Sequence, residues 1–183
     1  ESEVLRETQL VVCLLFQYAG MSFVDFAHLK ERNIKNGILD YNRQKTGTPM
    51  RLEILDTAEL MRKELMGDKK PASGYLFPFL SGTKTGYEAY LEYNAALSRF
   101  NRNLKALKKA AGIASDVTSY TIRHSFAMAL KEQNVPIEMI SELLGHKSIK
   151  TTQIYLRSFS LEKMTEVNST CFGCVYNYVS KVG

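Results

Sequence analysis

The chain has 183 residues, 45% hydrophobic and 23% charged, as in an ordinary globular protein, and this length suits one domain with a sizeable core. Its net charge of +5 and isoelectric point near 9.0 favour an anionic partner, and nucleic acid fits that description. The longest apolar run, residues 11–16, is far too short to span a bilayer and no secretory signal is visible, so we expect a cytoplasmic protein with no membrane partner.

The N-terminal part of the chain is predicted to form two helices that belong to the core. Residues 4–18 show a largely apolar helical pattern that ends at Gly20. Ser22 and Asp25 have the spacing of a capping box and predict the start of a second helix. The side chains expected to be buried by this second helix are Phe23, Phe26 and Leu29.

A small antiparallel sheet is predicted next. Asn36-Gly37 is a strong turn signal, and a strand is expected on each side of it. Residues 38–45 alternate in polarity, which places on one side of the strand Leu39, Tyr41, Arg43 and Lys45. The chain turns at residues 45–49, and the returning strand is predicted to alternate at Met50, Leu52 and Ile54.

The rest of the chain is predicted to be helical, apart from an irregular stretch at residues 68–86. One amphipathic helix opens at Asp56 and closes at Gly67, and a longer one, expected to be interrupted, covers residues 87–111. Further helical segments begin at about Ser119, near Pro136 and after Ser148. The expected fold class is α+β, mainly α, with one small antiparallel β-sheet.

Three side chains in the last helical segments suit chemistry on a phosphodiester. Arg123 lies 23 residues before His146 and 32 before Tyr155. A guanidinium binds phosphate through two N–H groups, an imidazole donates or moves a proton, and a phenol can attack phosphorus when positive charge or a base activates it. These groups can converge if the helical segments fold back on one another.

Two motifs in this region resemble those of the tyrosine recombinases, the phage and transposon integrase family. LLGHKSIKTTQIYLR is similar to the family's C-terminal signature, in which a Gly-His pair precedes the nucleophilic tyrosine, and TIRHSFAMAL is similar to its arginine-histidine box. The resemblance covers nearly the whole chain and points to the integrases of bacterial conjugative transposons and other mobile elements. It implies a helical catalytic domain with one small antiparallel sheet, whose activity is site-specific DNA recombination.

The resemblance also implies a domain organisation. Residues 1–183 would form the catalytic domain, with residues 158–183 as a C-terminal tail that docks onto a neighbouring protomer or packs on its own domain. The core-binding and arm-binding domains that precede the catalytic domain in the family have no counterpart in these residues. Because the chain begins at Glu1 without methionine, we expect it to be a fragment. Because those two domains have no counterpart in it, we expect it to bind DNA poorly by itself.

Resemblance to the family assigns a role to each candidate residue. Tyr155 would attack the scissile phosphate, leaving a 3′-phosphotyrosyl bond and a free 5′-hydroxyl, while Arg123 clamps the phosphate. His146 would donate to a phosphate oxygen or pass a proton to or from the tyrosine, and Lys45 would protonate the departing 5′-hydroxyl. Bond energy is kept in the covalent intermediate, so no ATP, metal or other cofactor is expected. Each residue also has a structural alternative. Tyr155 could be an ordinary amphipathic tyrosine and Arg123 a partner in a structural salt bridge. His146 could face a helix dipole, and Lys45 could be a solvated surface lysine.

The sequence departs from the family pattern at two positions. Ser22 stands where the family has its first arginine, so one phosphate-neutralising cation is missing; such a contact is worth about 3 kcal/mol in the transition state. Arg43 is the candidate replacement, because strand alternation puts it on the same side as Lys45. Tyr120 stands where the family generally has histidine, and its hydroxyl can donate to phosphate but cannot shuttle protons near neutrality.

Several other polar residues receive structural interpretations. Ser22 is expected to cap the second helix, with Asp25 as its partner. His124 is rotated about 100° from Arg123 on a helix and is expected to pack or to support the site. A CxxC pair, Cys171 and Cys174, lacks the further ligands of a zinc site, and the odd total of three cysteines indicates a reducing compartment.

Double-stranded DNA is the expected partner. The basic side chains that can contact its backbone are Lys105, Lys108, Lys109, Lys147 and Lys150. By resemblance, the protein would be a homotetramer on DNA and a monomer when isolated, with accessory DNA-bending proteins as further partners. Two alternatives stay open: a catalytically impaired relative that binds DNA or regulates, and DNA relaxation of the topoisomerase IB type.

Overall fold

The fold is built mainly from helices, which confirms the predicted α+β class with one small sheet. The computed structural model describes residues 2–71 and 74–156; the predicted tail of residues 158–183, with Cys171 and Cys174, lies outside them. The helices are α1 (Ser2–Gln17), α2 (Phe23–Ala27), α3 (Asp56–Met66), α4 (Gly86–Ala110), α5 (Ser119–Glu132), α6 (Ile137–Leu143) and α7 (Ile149–Tyr155). The strands are β1 (Ile34–Lys35), β2 (Ile38–Asn42) and β3 (Pro49–Glu53).

Helix α1 is the central element of the main core. It contacts α3, α4 and α5, and its most buried side chains are Leu10, Val11, Leu14 and Leu15. Leu10 and Leu14 are four positions apart, as are Val11 and Leu15, so these residues share one side of the helix. The predicted buried helix is therefore confirmed, and the chain leaves it at Gly20, whose φ of +63° is left-handed.

Aromatic rings hold α2 against the segment that follows α3. Phe26 of α2 stacks on Phe77 with ring centroids 4.1 Å apart, and Phe23 stacks on Phe100 of α4 at 4.7 Å. The backbone N–H of Leu76 donates to the carbonyl of Leu29 at 2.8 Å. The apolar part of the stretch predicted to be irregular is therefore a core element.

The sheet has the order β1-β2-β3 with antiparallel pairing. Asn36 and Gly37, with φ of +51° and +74°, turn the chain from β1 to β2 as the sequence predicts. In the register, Leu39 pairs with Leu52 and Tyr41 pairs with Met50. The predicted hairpin and the additional strand before Asn36 are both confirmed.

The alternation of β2 ends earlier than predicted. The strand stops at Asn42, and the chain then turns, with the N–H of Arg43 donating to the carbonyl of Thr48 at 2.9 Å. Arg43 is buried, whereas Lys45, inside this turn, is exposed. The prediction that Lys45 shares a strand side with Arg43 is therefore wrong, because a period of two holds only within an extended strand.

Helix α4 runs without interruption for 25 residues, so the expected break is wrong. Its buried side chains, Ala96, Phe100 and Leu104, recur every four residues along one face. No glycine or proline occurs between Tyr87 and Ala110, so the usual causes of a kink are missing from this stretch of the sequence.

Helices α5, α6 and α7 enclose a second, smaller core formed by Ala127, Ile140 and Leu144. Phe126 of α5, which packs on this second core, lies edge-on against Phe16 of α1 with ring centroids 5.3 Å apart, so the contact joins α5 to α1. Among residues 2–71 and 74–156, no helix is both long enough and apolar enough to cross a membrane.

Candidate active site

Arg123 lies at the junction of three elements. It belongs to α5, whose first turn is fixed by a capping box between Thr118 and Thr121, and it is 4% exposed. Its Nη1 donates to the carbonyl of Gly20 at 2.9 Å, and its Nη2 donates to the carbonyl of Leu144. The guanidinium therefore ties α5 to the end of α1 and to the end of α6.

Arg43 reaches the same carbonyl from the opposite side of the site. Its Nη1 lies 3.1 Å from the carbonyl oxygens of both Leu144 and Gly145, and its Nε lies 3.3 Å from Oδ2 of Asp25. The side chain is 8% exposed. The structure thus brings Arg43 beside Arg123, where the hypothesis of a replacement cation requires it to be, while its catalytic role stays a prediction.

Asp25 is the acceptor that holds Arg43 in place. The carboxylate is 2% exposed and accepts hydrogen bonds from Ser22 Oγ at 2.5 Å, from the N–H of Gln44 at 2.7 Å and from Arg43. Ser22 is the N-cap residue of α2 and pairs with Asp25 as expected, but its hydroxyl makes no bond to the helix N–H groups. The hydroxyl is oriented by its O–H, which donates to the charged Asp25 carboxylate.

Gly145 follows the end of α6 and fixes the backbone position of His146. The N–H of Gly145 donates to the carbonyl of Glu142 and the N–H of His146 donates to that of Ser141, the pattern of a Schellman motif. Gly145 has a φ of +62°, and a Cβ at this position would meet Met50 Sδ and lie 2.8 Å from Cδ of Arg43. The glycine of the Gly-His pair is therefore needed both for the turn and for space.

His146 is held at both ring nitrogens. Its Nε2 lies 3.2 Å from Nη2 of Arg123, and its Nδ1 lies 2.8 Å from Oγ1 of Thr152. Burial and the positive charges of Arg123 and Arg43 lower the pKa of His146 to about 4. The imidazole is therefore neutral at physiological pH.

Thr152 was not identified as a site residue from the sequence. It is fully buried in α7, which packs on α6 and α5. The only available signal was its position in a Thr-Thr pair shortly before Tyr155, and a threonine there also suits an ordinary helix surface. Its contact with His146 depends on how α7 folds back, which residue spacing does not specify.

Tyr155 is the last residue of α7, so its backbone lies one helical turn beyond Thr152. Its side chain lies outside the part of the chain that the structure describes. The predicted convergence of the phenol with Arg123 and His146 therefore stays a prediction.

The other predicted residues lie around this centre. Tyr120 is in the first turn of α5 and is 60% exposed, and His124 is half-buried on the same helix. Exposed lysines among the predicted DNA contacts are Lys105, Lys109, Lys147 and Lys150. Lys108 differs from them, because it is partly buried and its Nζ lies 3.2 Å from Oδ1 of Asp116. Within residues 2–71 and 74–156, no group of three histidine, cysteine or acidic side chains is placed to hold a metal ion.

Comparison with known proteins places these features in a family. The profile of the phage integrase family matches residues 3–162. Tyrosine recombinase XerD of Lacticaseibacillus casei is 52% identical over 54 residues, which are 30% of this chain and 18% of that protein. Tyrosine recombinase XerC of Rickettsia typhi is 41% identical over 75 residues, 41% of this chain and 24% of the relative. The matched stretch is thus a quarter or less of each of these relatives.

Solved structures share the fold. The crystal structure of XerA recombinase superposes with a TM-score of 0.64 at 21% identity, covering 93% of this chain and 63% of that one. The integrase of transposon Tn1549, solved in complex with a circular intermediate DNA, superposes with a TM-score of 0.62 at 16% identity, covering 87% of this chain and 57% of that one.

Substitution of Gly145 by alanine should destabilise the protein more than the same change at Gly112. Both glycines have a φ above +60°, which costs an alanine about 1–2 kcal/mol. Gly112 has open space around it, whereas a Cβ at Gly145 also overlaps Met50 and Arg43, and overpacking adds about 1–3 kcal/mol. Urea denaturation of Gly145→Ala and Gly112→Ala measures the difference, and equal losses would contradict the packing of Arg43 on Gly145.

The stability of the protein should depend on the ionisation of His146 between pH 6.5 and 4. In an unfolded chain the pKa of histidine is about 6.5, and in the fold that of His146 is about 4. Between these values the unfolded chain binds the extra proton, so the free energy of unfolding falls as the pH is lowered, by at most about 1.4 kcal/mol per pH unit. Urea titrations of the native protein and of His146→Gln check this, because the variant should have a flatter profile in that window. Parallel profiles would contradict the lowered pKa.

Proposed function

Because the chain belongs to the phage integrase family, the tyrosine-type site-specific recombinases, we propose that it is a catalytic domain that cuts and rejoins DNA through a 3′-phosphotyrosyl intermediate. One observation carries the proposal: two buried guanidiniums from distant elements, Arg43 and Arg123, donate to the same backbone oxygen, that of Leu144. Beside that oxygen, Nε2 of His146 lies 3.2 Å from Arg123.

This arrangement suits a phosphate group. A guanidinium offers five N–H donors in a planar fork, and two such forks around one point match the oxygens of a phosphodiester. Arg43 lies in the turn between β2 and β3, and Arg123 lies in α5. The fold therefore sets the spacing of the two guanidiniums, and little rearrangement of the protein is needed to bind a phosphate. Preorganised donors of this kind stabilise the charge that develops at phosphorus in the transition state.

The proposed reaction uses Tyr155 as the nucleophile and Lys45 as the proton donor. Tyr155, at the end of α7, attacks the scissile phosphate, and Lys45, exposed in the turn after β2, protonates the departing 5′-hydroxyl. A 5′-hydroxyl from the partner duplex then attacks the phosphotyrosyl bond and restores the DNA backbone. The exposure of Lys45 supports its role, because it leaves the ammonium accessible to a bound duplex.

The proposed substrate is double-stranded DNA that carries recombination sites of a mobile element. The Tn1549 integrase, which has the same fold, is described in complex with a circular intermediate DNA. Lys147 and Lys150 flank the start of α7 and are exposed, so they are candidate backbone contacts next to the site. We further propose that residues 158–183 dock onto a neighbouring protomer of a homotetramer assembled on DNA.

A catalytically impaired relative that still binds DNA is the second candidate. Ser22, in place of the family's first arginine, and Tyr120, in place of its histidine, favour this reading. The position of Arg43 favours the active enzyme, because a guanidinium occupies the centre of the site despite the serine.

Substitution of Tyr155 by phenylalanine tests the nucleophile. On a nicked suicide duplex with a cognate site, the full-length wild-type protein should accumulate a covalent adduct that survives a denaturing gel. Tyr155→Phe should form none, since the attacking oxygen is removed. Tyr87→Phe, which alters an exposed tyrosine on α4, is the matched control and should form the adduct normally. Adduct formation by Tyr155→Phe would contradict the proposal, and its absence from the wild type would favour the impaired relative.

Substitution of Arg43 tests whether it replaces the missing arginine. Cleavage of the same duplex by Arg43→Ala should fall by about a hundredfold to a thousandfold, the effect of losing one preorganised donor group. Arg43→Lys keeps a cation beside Asp25 but loses the fork, so it should fold and still cleave slowly. Arg51→Ala, on the exposed side of β3, is the matched control. Near-normal cleavage by Arg43→Ala would discard the hypothesis.

A further inference from the structure

Hydrogen bonds around His146 determine which ring nitrogen carries the proton. Its Nε2 lies 3.2 Å from Nη2 of Arg123, and a guanidinium has N–H donors and no acceptor. Nε2 accepts this bond when it carries no proton, so Arg123 favours the tautomer that is protonated on Nδ1. The single proton of the neutral imidazole then lies on Nδ1, which donates to Oγ1 of Thr152 at 2.8 Å.

Thr152 is fixed in the fold at this point. Its side chain is 0% exposed, and α7 holds it against α6 and α5. The preceding threonine, Thr151, is exposed. Two identical side chains thus lie next to each other in the sequence, and Thr152 is the one that contacts the imidazole.

We infer that Thr152 is a positioning residue that accepts from Nδ1–H of His146 and so reinforces the tautomer that Arg123 favours, leaving Nε2 as the proton acceptor for the phenol of Tyr155. The inference rests on the proposed recombination chemistry. It selects one of the two roles that the sequence left open for His146, that of a proton acceptor instead of a donor to the phosphate.

The proton movements balance under this assignment. Nε2 has one lone pair, so Nη2 of Arg123 turns from Nε2 to the bound phosphate before the proton transfer. As the bond between the phenolic oxygen of Tyr155 and phosphorus forms, the O–H bond breaks and its proton moves to the freed lone pair of Nε2. The bond from phosphorus to the 5′ oxygen breaks, and that oxygen takes a proton from Lys45, which becomes a neutral amine. Nδ1 keeps its proton throughout, and its hydrogen bond to Thr152 strengthens when the ring becomes an imidazolium.

Two further features agree with an acceptor role. Burial beside Arg123 and Arg43 disfavours the imidazolium, so Nε2 is available as an acceptor at neutral pH before the substrate binds. Tyr120 occupies the position where the family generally has a second histidine, and a phenol cannot shuttle protons near neutrality as an imidazole can. His146 is therefore the better placed of the two to accept the proton.

The test compares Thr152→Val, Thr152→Ser and the matched control Thr151→Val. Valine preserves the shape of threonine but removes the acceptor, whereas serine preserves the hydroxyl. Nitrogen-15 chemical shifts of His146 report the tautomer in each protein at neutral pH. The wild type, Thr152→Ser and Thr151→Val should carry the proton on Nδ1, and Thr152→Val should shift it at least partly to Nε2.

Single-turnover cleavage by the full-length proteins gives the second readout. Thr152→Val should cleave about tenfold to a hundredfold more slowly, the usual effect of removing a group that orients a functional histidine. Thr152→Ser should recover most of that loss, and Thr151→Val should match the wild type. A role limited to packing predicts the opposite order, because valine fills the space of threonine better than serine does.

The tautomer separates this inference from the proposed function. A wild-type imidazole protonated on Nε2 at neutral pH overturns the inference even if Thr152→Val does not fold, and so does an unchanged tautomer in a folded Thr152→Val. If the tautomer responds as expected but the wild type forms no covalent adduct, the positioning role of Thr152 stands and the proposed recombination chemistry fails.

Discussion

The backbone oxygen of Leu144 is the point on which the site depends. It follows the last turn of α6, where a helix leaves carbonyl groups without partners of its own. Arg43 and Arg123 both donate to it, one from the hairpin and one from α5. Burying two guanidiniums is costly unless each finds acceptors, and helix-terminal carbonyls supply partial negative charge for cations. The end of α6 thus organises the two cations before any substrate is present.

The same contacts surround the position after α1 at which the sequence lacks the family's arginine. Ser22 occupies that position and donates to Asp25, and Asp25 in turn accepts from Arg43. The carboxylate therefore compensates the buried charge of Arg43 and directs its Nη1 towards Leu144 and Gly145. In the proposed reaction, the cation that the family supplies from the end of the first helix comes from the hairpin. The packing of Arg43 against Gly145 leaves no room for a side chain at that glycine.

Local periodicity made much of the fold predictable, and tertiary contacts account for what was missed. The spacing of Leu10, Leu14 and their neighbours identified α1, and the alternation around Leu39 identified the sheet and placed Arg43 on the side of Leu39 and Tyr41. The same alternation failed at Lys45, because the turn begins one residue after the strand ends. For Ser22, the capping pattern was correct in position but not in bonding, because the hydroxyl is oriented by its donation to Asp25 and accepts from no helix N–H group. Thr152 could not be found this way, since its function depends on the position of α7 relative to α6.

The electrostatics of the site connect substrate binding to the basicity of His146. In the free protein the positive charges of Arg123 and Arg43 help to hold the pKa of His146 at about 4, so the imidazole is neutral but a weak base. A phosphate bound between the two guanidiniums would neutralise part of that charge and therefore raise the pKa of His146. The imidazole would then become a stronger proton acceptor when a phosphodiester is in place, and would stay a weak one without it. Arg43 and Arg123 thus serve two connected purposes in the proposed reaction: they bind the phosphate, and they couple the activation of the phenol of Tyr155 to the presence of DNA.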